Sequence, residues 1–564
     1  MTKKLKNLFK RFKIDGYIVP KNDEYFNEYT NPSNDRLKFI SNFSGSAGFA
    51  IILKNRNYLF VDGRYTEQAK KESGKNFSIV NIPKELPKNI LKNKKKIKIG
   101  FDPKLHTEKQ INILFKIKNL NLVAINENLI DLIWHNKPKE KIKPFYSISP
   151  KYTGKSISNK ILLIKKILLK NKIDYLLVTA PENVAWILNI RGQDSLYSPI
   201  INSRLLVDNK GKIDFFVNPK KFSGMINNKV SYHAEHDLEK ILNNLSNKKI
   251  WLDRNTCSIF YKKLIFGRNI ITEKLDPIYF LKSIKNNTEI KNTKKTHLID
   301  GVALTKFLLW IKNNFKKNRI TEMSAQEKLE NFRKMHSSYR FPSFSTISGS
   351  GPNGSIIHYK ASIKTNRILK KGELYLVDSG GQYHYGTTDV TRTISFGNIS
   401  KNVKEIYTRV LKGHIAVSNY KIKNNSTGEE IDRKARKYLK KIKLDYPHGT
   451  GHGVGYFSNV HEGPLSLSKN NKLNLKNGMI LSNEPGYYKE GSFGIRIENL
   501  LYVDKNRFKE LTLAPIEKDL ILKDILNNFE IKWINSYHRK VQKNLLNFMS
   551  SKEKEGLKKA CLPI

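Results

Sequence analysis

Residues 373–396 have the sequence ELYLVDSGGQYHYGTTDVTRTISF, in which two alternating apolar stretches flank a glycine-rich segment. Side chains alternate between the two faces of a strand, so Asp378 shares a face with the leucines two and four residues before it. Asp389 shares a face with the threonines two residues before and after it, and the segment from Gly380 to Gly386 is typical of a turn. The stretch therefore predicts an antiparallel hairpin on which Asp378 and Asp389 face each other.

Three more residues of metal-ligand type follow in distinctive contexts: His452 in HGTGHGVG, Glu484 in LSNEPGYY and Glu498 in GIRIENL. With the two aspartates they form an oxygen-rich set that suits Mn, Co or Zn ions with open positions and does not suit a structural zinc. Each acidic residue taken alone is typical of an ordinary turn. The occurrence of all four acidic residues and the histidine in this order is not explained by turns. Bridging carboxylates balance about four positive charges on paired ions, so the set predicts two divalent metals that activate a water for hydrolysis.

A cation is predicted beside the last of these ligands. In FGIRIENLLYV, strand alternation places Arg496, Glu498 and Leu500 on one face of a returning strand. We expect Arg496 to shape the site or to orient the substrate. Arg191, in NIRGQD, is a second candidate for shaping the site or orienting the substrate, and a purely structural role is equally expected for it.

The chain resembles the Xaa-Pro aminopeptidases of the pita-bread metallopeptidase superfamily, in their longer three-domain cytosolic form. The resemblance covers nearly the whole chain, and its most specific segments are STISGSGPNGSIIHY, VDSGGQYHYGTTDVTRT, YPHGTGHGVG, NVHEGP, NEPGYY and FGIRIEN. It implies an α/β (α+β) fold class, with two creatinase-like N-terminal α/β domains followed by a C-terminal pita-bread metallopeptidase domain. It also implies a cytoplasmic homodimer.

The resemblance further implies how the five ligands are shared between the metals. Asp389 and Glu498 would bridge both ions, Asp378 would chelate one, and His452 and Glu484 would hold the other. Sequence spacing alone does not say which ligand bridges. The family and the oxygen-rich ligands together favour two Mn²⁺ ions.

Three further histidines occupy active-site positions of the resembled family. The resemblance implies that His461 hydrogen-bonds the scissile carbonyl region and the developing oxyanion. It implies that His358 assists binding or proton transfer, and that His448 walls the pocket for the proline ring. Glu484, a metal ligand beside the nucleophile, is the predicted proton shuttle to the proline nitrogen.

Length and composition predict a multidomain, soluble, intracellular protein. A chain of 564 residues is too long for one core, and its two cysteines are too few for a disulfide framework. The basic N-terminus lacks an apolar signal region, and no stretch of about 18 apolar residues predicts a membrane span. We therefore expect a cytoplasmic protein with no membrane association.

The formal charge of +53 raises the question of a nucleic-acid partner. Lys, Asn and Ile are enriched together along the whole chain, which is typical of a coding bias. The densest basic cluster, Lys94 to Lys96, is short. We expect a solvated basic surface and no specific nucleic-acid recognition.

The domain organisation follows from the alternation of helical and strand-like segments and from a polar linker. The linker runs from His135 to Pro150 and contains three prolines. An amphipathic helix is predicted to begin near Thr288 and to open the catalytic domain. The predicted segments are creatinase-like domains at 1–140 and 151–285, the pita-bread domain at 286–509 and a C-terminal extension at 510–564.

These features predict a metal-dependent aminopeptidase that acts on peptides with proline in the second position. A prolidase, which cleaves only Xaa-Pro dipeptides, would share all five ligands and stays open as an alternative. A non-enzymatic pita-bread binding protein also stays open, although such proteins usually lose ligands. A methionine aminopeptidase is disfavoured because it lacks the long N-terminal half.

Overall fold

The predicted division into N-terminal α/β segments and a C-terminal ligand-bearing segment is matched by two structural units. The computed structural model describes residues 1–92, 96–222, 224, 229–317 and 319–564, so Lys94 and Lys95 of the predicted basic cluster lie outside the described residues. The first unit comprises residues 1–150 and 155–279, and the second comprises residues 151–154 and 280–564. All five predicted metal ligands lie in the second unit.

The first unit contains two six-stranded sheets with the same connectivity. Neighbouring strands across each sheet are parallel, antiparallel, antiparallel, parallel and parallel. This repetition confirms the prediction of two related α/β units. In spatial order the first sheet consists of Ser78–Ile82, Asn57–Asp62, Phe49–Leu53, Gly16–Pro20, Ile97–Phe101 and Leu120–Ala124, and the second of Val230–His233, Ile213–Val217, Ser203–Asp208, Tyr175–Val178, Lys249–Leu252 and Ile270–Glu273.

Helices flank these sheets through apolar faces. In Ile157–Lys170 the Ser156 hydroxyl caps the N-terminus, and Ile161, Ile164 and Leu168 are buried at helical spacing. No helix among the described residues is long and apolar enough to cross a membrane. The helices of this unit are Thr2–Leu8, Arg36–Ser41, Thr66–Ser73, Pro87–Leu91, Glu108–Phe115, Ile157–Lys170, Pro181–Ile187, Asp237–Asn244 and Ile259–Ile265.

The predicted amphipathic helix is Asn287–Asn314, in the second unit. A reciprocal pair of hydrogen bonds between Asn286 and Glu289 caps its start. Ala303, Phe307 and Ile311 are buried on its inner face. The other α-helices that lie wholly in the unit are Glu322–Lys334, Lys401–Ser418, Gly428–Lys440, Asn528–Leu545 and Ser551–Ala560, and Pro277–Ser283 lies only partly in it.

Short antiparallel sheets carry the predicted ligands of this unit. Three sheets have three strands each: Ile347–Ser350, Leu374–Ser379 and Val390–Ser395 in the first, Ile480–Asn483, Asn499–Asp504 and Arg507–Glu510 in the second, and Tyr339–Pro342, Gly381–Tyr383 and Gly386–Thr387 in the third. The two-stranded pairings are Gly486–Lys489 with Phe493–Arg496 and Gly451–His452 with Ser466–Leu467.

The predicted hairpin is present, with a more elaborate connection than a turn. Asp378 lies opposite Thr391 in the register, so Asp378 and Asp389 share a face. The prediction of a simple turn from Gly380 to Gly386 is wrong, because part of this segment forms strands that pair with Tyr339–Pro342. A Cβ at Gly380 would lie 1.9 Å from a backbone oxygen of the returning chain, so only glycine permits this close approach.

The stretch FGIRIENLLYV does not form one strand as predicted. Phe493–Arg496 pairs in one sheet and Asn499–Asp504 pairs in another. The chain changes sheets at Glu498, whose backbone N–H donates to the Thr391 carbonyl at 3.2 Å. This crossing brings Glu498 to the hairpin that carries the two aspartates.

The C-terminal tail completes the core of the second unit. Ile534, Tyr537 and Val541 of Asn528–Leu545 are buried in one cluster with Val410 and Ile495. Burial of each large apolar side chain contributes about 1.5–3 kcal/mol. The tail therefore adds to the core of the second unit and does not form a core of its own.

Candidate metal and catalytic site

The five predicted ligands stand at the ends or edges of strands. Asp378 lies near the end of Leu374–Ser379, and Asp389 immediately precedes Val390–Ser395. His452 ends the strand Gly451–His452, Glu484 follows Ile480–Asn483, and Glu498 lies where the chain passes between two sheets. Backbone hydrogen bonds hold these strand ends, so the side chains are fixed at their base.

The described geometry brings the ligand atoms into one cluster. Asp389, His452 and Glu498 each offer one atom within 4.8 Å of the others. His452 Nε2 is 3.3 Å from Asp389 Oδ2 and 3.3 Å from Glu484 Oε1. Asp378 lies on the facing strand, opposite Thr391 in the register. Its side chain is therefore on the same face of the hairpin as that of Asp389.

Two carboxylate oxygens in the cluster have no donor in the part of the chain that the structure describes. Among the described residues, Asp378 Oδ1 and Glu498 Oε1 are buried without a hydrogen-bond partner. A buried carboxylate oxygen without a donor is costly unless a cation satisfies it. The donor set of oxygens and one imidazole therefore fits divalent cations.

The electrostatics of the cluster agree with this fit. Burial, together with the nearby Asp389 and Glu484 charges, raises the pKa of Asp378 to about 7 against the opposing Arg496 guanidinium. Burial and neighbouring carboxylates also raise the pKa of Glu484 and, more strongly, that of Glu498. Burial lowers the pKa of His452, but Asp389 and Glu484 outweigh it and raise that pKa to about 9. Such crowding of negative charge is relieved by bound cations.

Arg496 lies beside the cluster, although not on the continuous strand from which its position was predicted. Its Nη2 donates to Asp378 Oδ2 at 2.5 Å and its Nε donates to Thr391 Oγ1 at 3.0 Å. The Arg496 side chain is almost fully buried. A buried guanidinium in this position fixes one oxygen of Asp378 and leaves the other for a cation.

Tyr488 connects Arg496 to His448. Its hydroxyl accepts a hydrogen bond from Arg496 Nη1 and lies 2.9 Å from His448 Nε2. His448 Nδ1 also contacts the Gly449 carbonyl at 2.7 Å. His448 is half-buried, so its ring can wall a cavity while its nitrogens are held.

His461 lies against the predicted ligand His452. The two rings are 4.3 Å apart between centroids and cross at 82°. Because His461 is half-buried and touches the ring of a cluster member, an edge of it can reach a group held at the cluster.

Family comparisons cover the whole chain. A model described as metallopeptidase family M24 matches residues 291–505, and one for the C-terminal region of that peptidase matches residues 506–564. Two models of the creatinase/prolidase N-terminal domain match residues 1–131 and 136–289. Dictyostelium discoideum Xaa-Pro aminopeptidase 1 is 37% identical over 96% of this chain and 92% of its own length. A probable Xaa-Pro aminopeptidase P of Laccaria bicolor is 36% identical over 100% of this chain and 93% of its own.

The chain belongs to the Xaa-Pro aminopeptidase family of M24 metallopeptidases. Its structure agrees with this membership. An X-prolyl aminopeptidase from Caenorhabditis elegans, described as a cytosolic enzyme with a di-nuclear active site, superposes with a TM-score of 0.93 at 30% identity over 100% of this chain and 99% of its own. A Thermococcus sibiricus prolidase gives a TM-score of 0.53 at 26% identity and covers only 64% of this chain, although 98% of the prolidase is matched.

His358 follows the short turn Gly351–Ser355 and is half-buried. Its loop is tied to the buried carboxylate of Glu322, which accepts from Ser350 N at 2.7 Å and from the neighbouring Tyr359 hydroxyl at 2.8 Å. These contacts fix the loop on either side of His358. Its part in the chemistry stays a prediction.

Arg191 lies in the first unit, where its guanidinium donates to backbone carbonyls. The acceptors are Ala185 O at 3.1 Å and Ile190 O at 2.8 Å. These contacts show a structural use of the side chain. A part for Arg191 in substrate orientation stays a prediction.

Local sequence patterns do not predict the contacts of Tyr488 and Arg392 or the hydrogen bonds of the Thr391 hydroxyl. The strand alternation placed Thr391 on the face of Asp389, so a signal for that residue was present. Tyr488 follows Glu484 in NEPGYY, but its partners lie elsewhere in the chain. Arg392 lies on the strand face opposite to that of Thr391, and nothing in its local sequence predicts the contacts that it makes.

Proposed function

We propose that this protein is a metal-dependent aminopeptidase that releases the N-terminal residue from peptides with proline in the second position. The observation that carries the proposal is the cluster of four carboxylates and one imidazole, of which Asp378, Asp389 and Glu498 are buried and His452 and Glu484 half-buried, within an Xaa-Pro aminopeptidase fold. Relatives of that name match the chain along almost all of its length. This full-length match supports the same activity here.

The cluster would hold two divalent metal ions, with Mn²⁺ the first choice because the ligands are mainly hard oxygens. We propose that Asp389 and Glu498 bridge the ions, that Asp378 binds one, and that His452 and Glu484 bind the other. The unpartnered oxygens of Asp378 and Glu498 support these two assignments. The contact of His452 Nδ1 with the Gly453 carbonyl supports a tautomer whose Nε2 is open to a metal.

When bound, two divalent ions polarise a peptide carbonyl and lower the pKa of a water molecule. His461 would donate a hydrogen bond to the carbonyl oxygen of the residue before proline. A donor aimed at developing charge in such a site contributes about 3–4 kcal/mol of transition-state stabilisation. Glu484 would carry a proton from the attacking water to the proline nitrogen, which cannot leave unprotonated. His358 would assist binding or proton transfer.

The same side chains account for an exopeptidase that prefers proline. The Asp378 carboxylate would receive the free α-amine of the substrate, so only a chain terminus fits. Arg496 keeps that carboxylate in place through its 2.5 Å contact. His448, held by Tyr488, would wall the pocket for the proline ring.

Chain architecture favours an aminopeptidase over a prolidase. The prolidase of T. sibiricus matches only 64% of this chain, whereas the C. elegans aminopeptidase matches all of it. We propose the domain division 1–140, 151–285, 286–509 and 510–564, which the limits of the four family matches support. We also propose a cytoplasmic homodimer with peptide substrates and no specific nucleic-acid partner.

Three peptides test the proposal on the Mn²⁺-loaded protein: Arg-Pro-Pro, Arg-Ala-Pro and Arg-Pro. We expect the largest kcat/KM for Arg-Pro-Pro. Loss of the proline ring should cost more than the roughly 1–3 kcal/mol that separates substrates differing by one methylene. Dominant cleavage of Arg-Pro would make the protein a prolidase, and efficient cleavage of Arg-Ala-Pro would remove the proline preference. No cleavage of any peptide would favour the non-enzymatic alternative.

A further inference from the structure

Glu462 follows His461 directly and forms a buried charge cluster with two lysines. Its carboxylate oxygens engage different ammonium groups: Oε1 contacts Lys285 Nζ, and Oε2 lies 3.6 Å from Lys282 Nζ. The three side chains are each at most 3% exposed. With each oxygen facing its own cation, the carboxylate has one preferred orientation.

The backbone of Glu462 is tied to the neighbour of His452. Its N–H donates to the Gly453 carbonyl at 2.8 Å, and His452 Nδ1 contacts the same oxygen at 2.9 Å. A Cβ at Gly453 would lie 2.3 Å from the Glu462 carbonyl oxygen, so glycine is needed for this approach. Glu462 therefore follows His461 directly in the chain and is hydrogen-bonded to the residue that follows His452.

The lysine side of the cluster is anchored on the element that leads to Glu484. Lys285 N–H donates to the Gly478 carbonyl at 3.0 Å, and Ile284 pairs with Met479 just before the strand Ile480–Asn483. The cluster thus joins the His461 turn to the strand that carries a metal ligand.

We propose that Glu462 is a positioning residue that sets His461 against the reacting carbonyl and steadies His452. Replacement of a buried ion pair by apolar groups is often neutral or stabilising, so stability alone is a weak reason for this cluster. A fixed orientation of two functional rings is a stronger reason. The inference rests on the proposed function, because the role of His461 was assigned there.

The test compares Glu462→Gln with Glu530→Gln. Glu530 is a matched control, since its carboxylate is 4% exposed and pairs with Lys412 at 2.5 Å in the C-terminal tail. At saturating Mn²⁺ we expect Glu462→Gln to lower kcat on Arg-Pro-Pro roughly 10–100-fold, the range for residues that orient functional groups. Its affinity for Mn²⁺, measured by calorimetry on chelator-treated protein, should also fall. Glu530→Gln should leave both quantities near the wild-type values.

A second background separates positioning from simple structural support. In His461→Ala, adding Glu462→Gln should change kcat by less than about twofold, because coupled residues are not additive. Lys282→Met leaves the Lys285–Glu462 pair intact, so it should lower kcat less than Glu462→Gln does. This milder variant carries the same test if Glu462→Gln does not fold.

The outcomes separate the inference from the proposed function. A wild-type protein that cleaves none of the peptides would overturn the proposed function, and the Mn²⁺ affinities would still test Glu462. Equal effects of Glu462→Gln and Glu530→Gln on kcat and on Mn²⁺ affinity would overturn the inference alone. The inference would also be overturned if Glu462→Gln lowered kcat by the same factor in the His461→Ala background as in the wild-type protein.

Discussion

Thr391 links the carboxylate and guanidinium groups of the site through one hydroxyl. Its Oγ1 donates to Glu498 Oε2 at 2.8 Å and accepts from Arg496 Nε at 3.0 Å, and its backbone lies opposite Asp378. A buried hydroxyl that is used in both directions fixes the orientation of both partners. The direction of the unpartnered Glu498 Oε1 therefore depends on Thr391.

Thr391→Val removes this hydroxyl at nearly constant volume. We expect the affinity for Mn²⁺ to fall about 10–100-fold, as it does when groups that orient metal ligands are lost. Thr408→Val is the control, because Thr408 is also buried and its hydroxyl also donates and accepts, with Lys404 O at 2.8 Å and Leu522 N at 2.9 Å. Calorimetric titration of both chelator-treated variants makes the comparison, and equal affinities would contradict the role of Thr391.

The titration of the cluster predicts how the metal-free protein responds to pH. The pKa of Asp378 is raised from 3.8 to about 7 by burial and nearby carboxylates, and that of His452 from 6.5 to about 9 by Asp389 and Glu484 against the effect of burial. The folded protein therefore binds more protons than the unfolded chain, at Asp378 between pH 3.8 and about 7 and at His452 between pH 6.5 and about 9. In both pH ranges the free energy of unfolding decreases as pH rises. In chelator, Tm should fall between about pH 5 and pH 8, and Asp378→Asn should reduce the fall. Saturating Mn²⁺ should remove it, and an unchanged slope with Mn²⁺ would contradict the assignment.

At the scale of elements, Arg392 joins three parts of the second unit. Its guanidinium donates to Thr391 O and Glu498 O near the cluster and to Asn499 Oδ1 on the following strand. It also donates to the Ala514 and Pro515 carbonyls and to the Tyr537 hydroxyl of the tail. The hairpin, the crossing at Glu498 and the tail are thus held by one side chain.

Arg392→Lys tests this connection, because a single ammonium cannot reproduce the planar fork of donors. Each buried carbonyl that loses its donor costs about 1–3 kcal/mol, so we expect a lower free energy of unfolding by at least that amount. Arg409→Lys changes a partly exposed Glu405 pair on the helix Lys401–Ser418 and should cost less than about 0.5 kcal/mol. Denaturant unfolding of both variants measures the difference. A cost for Arg392→Lys no larger than the control would refute the role.

The strand period was sufficient to predict the common face of Asp378 and Asp389. Alternation depends only on local sequence, and the register places both side chains as expected. The proximity of Arg496 to Glu498 was also predicted, but from one continuous strand that the structure does not contain. They meet at Thr391 because the chain changes sheets between them, and one continuous strand would not make that crossing.

Other features depend on partners that local sequence does not reveal. The segment after Ser379 was predicted as a turn because its glycines match turn chemistry, yet Gly381–Tyr383 pairs with a strand that begins at Tyr339. Glu462 resembles any surface acid in NVHEGP until Lys285 is found beside it, 177 residues earlier in the chain. Contacts of this length are set by the tertiary fold and not by a periodic pattern.

At the scale of the whole molecule, a buried acidic cluster lies within a strongly basic chain. The 103 Lys and Arg residues exceed the 50 Asp and Glu residues, which gives the net charge of +53. The basic residues occur in every segment of the chain and accompany no recognition motif. A charge distributed in this way attracts polyanions through their phosphates and does not read bases.

We therefore expect weak binding of random-sequence duplex DNA that depends steeply on salt. A protein that contacts 6–10 phosphates loses about 10³–10⁵ in affinity between about 50 and 200 mM salt, so binding should be measurable at the lower concentration and lost at the higher. Fluorescence anisotropy with two unrelated duplexes makes the measurement, and heparin should displace both equally because the attraction is to charge alone. Hydrolysis of Arg-Pro-Pro should be unaffected by DNA at the higher salt. Tight binding there that distinguishes the two duplexes would show a nucleic-acid site and return the non-enzymatic binding role to consideration.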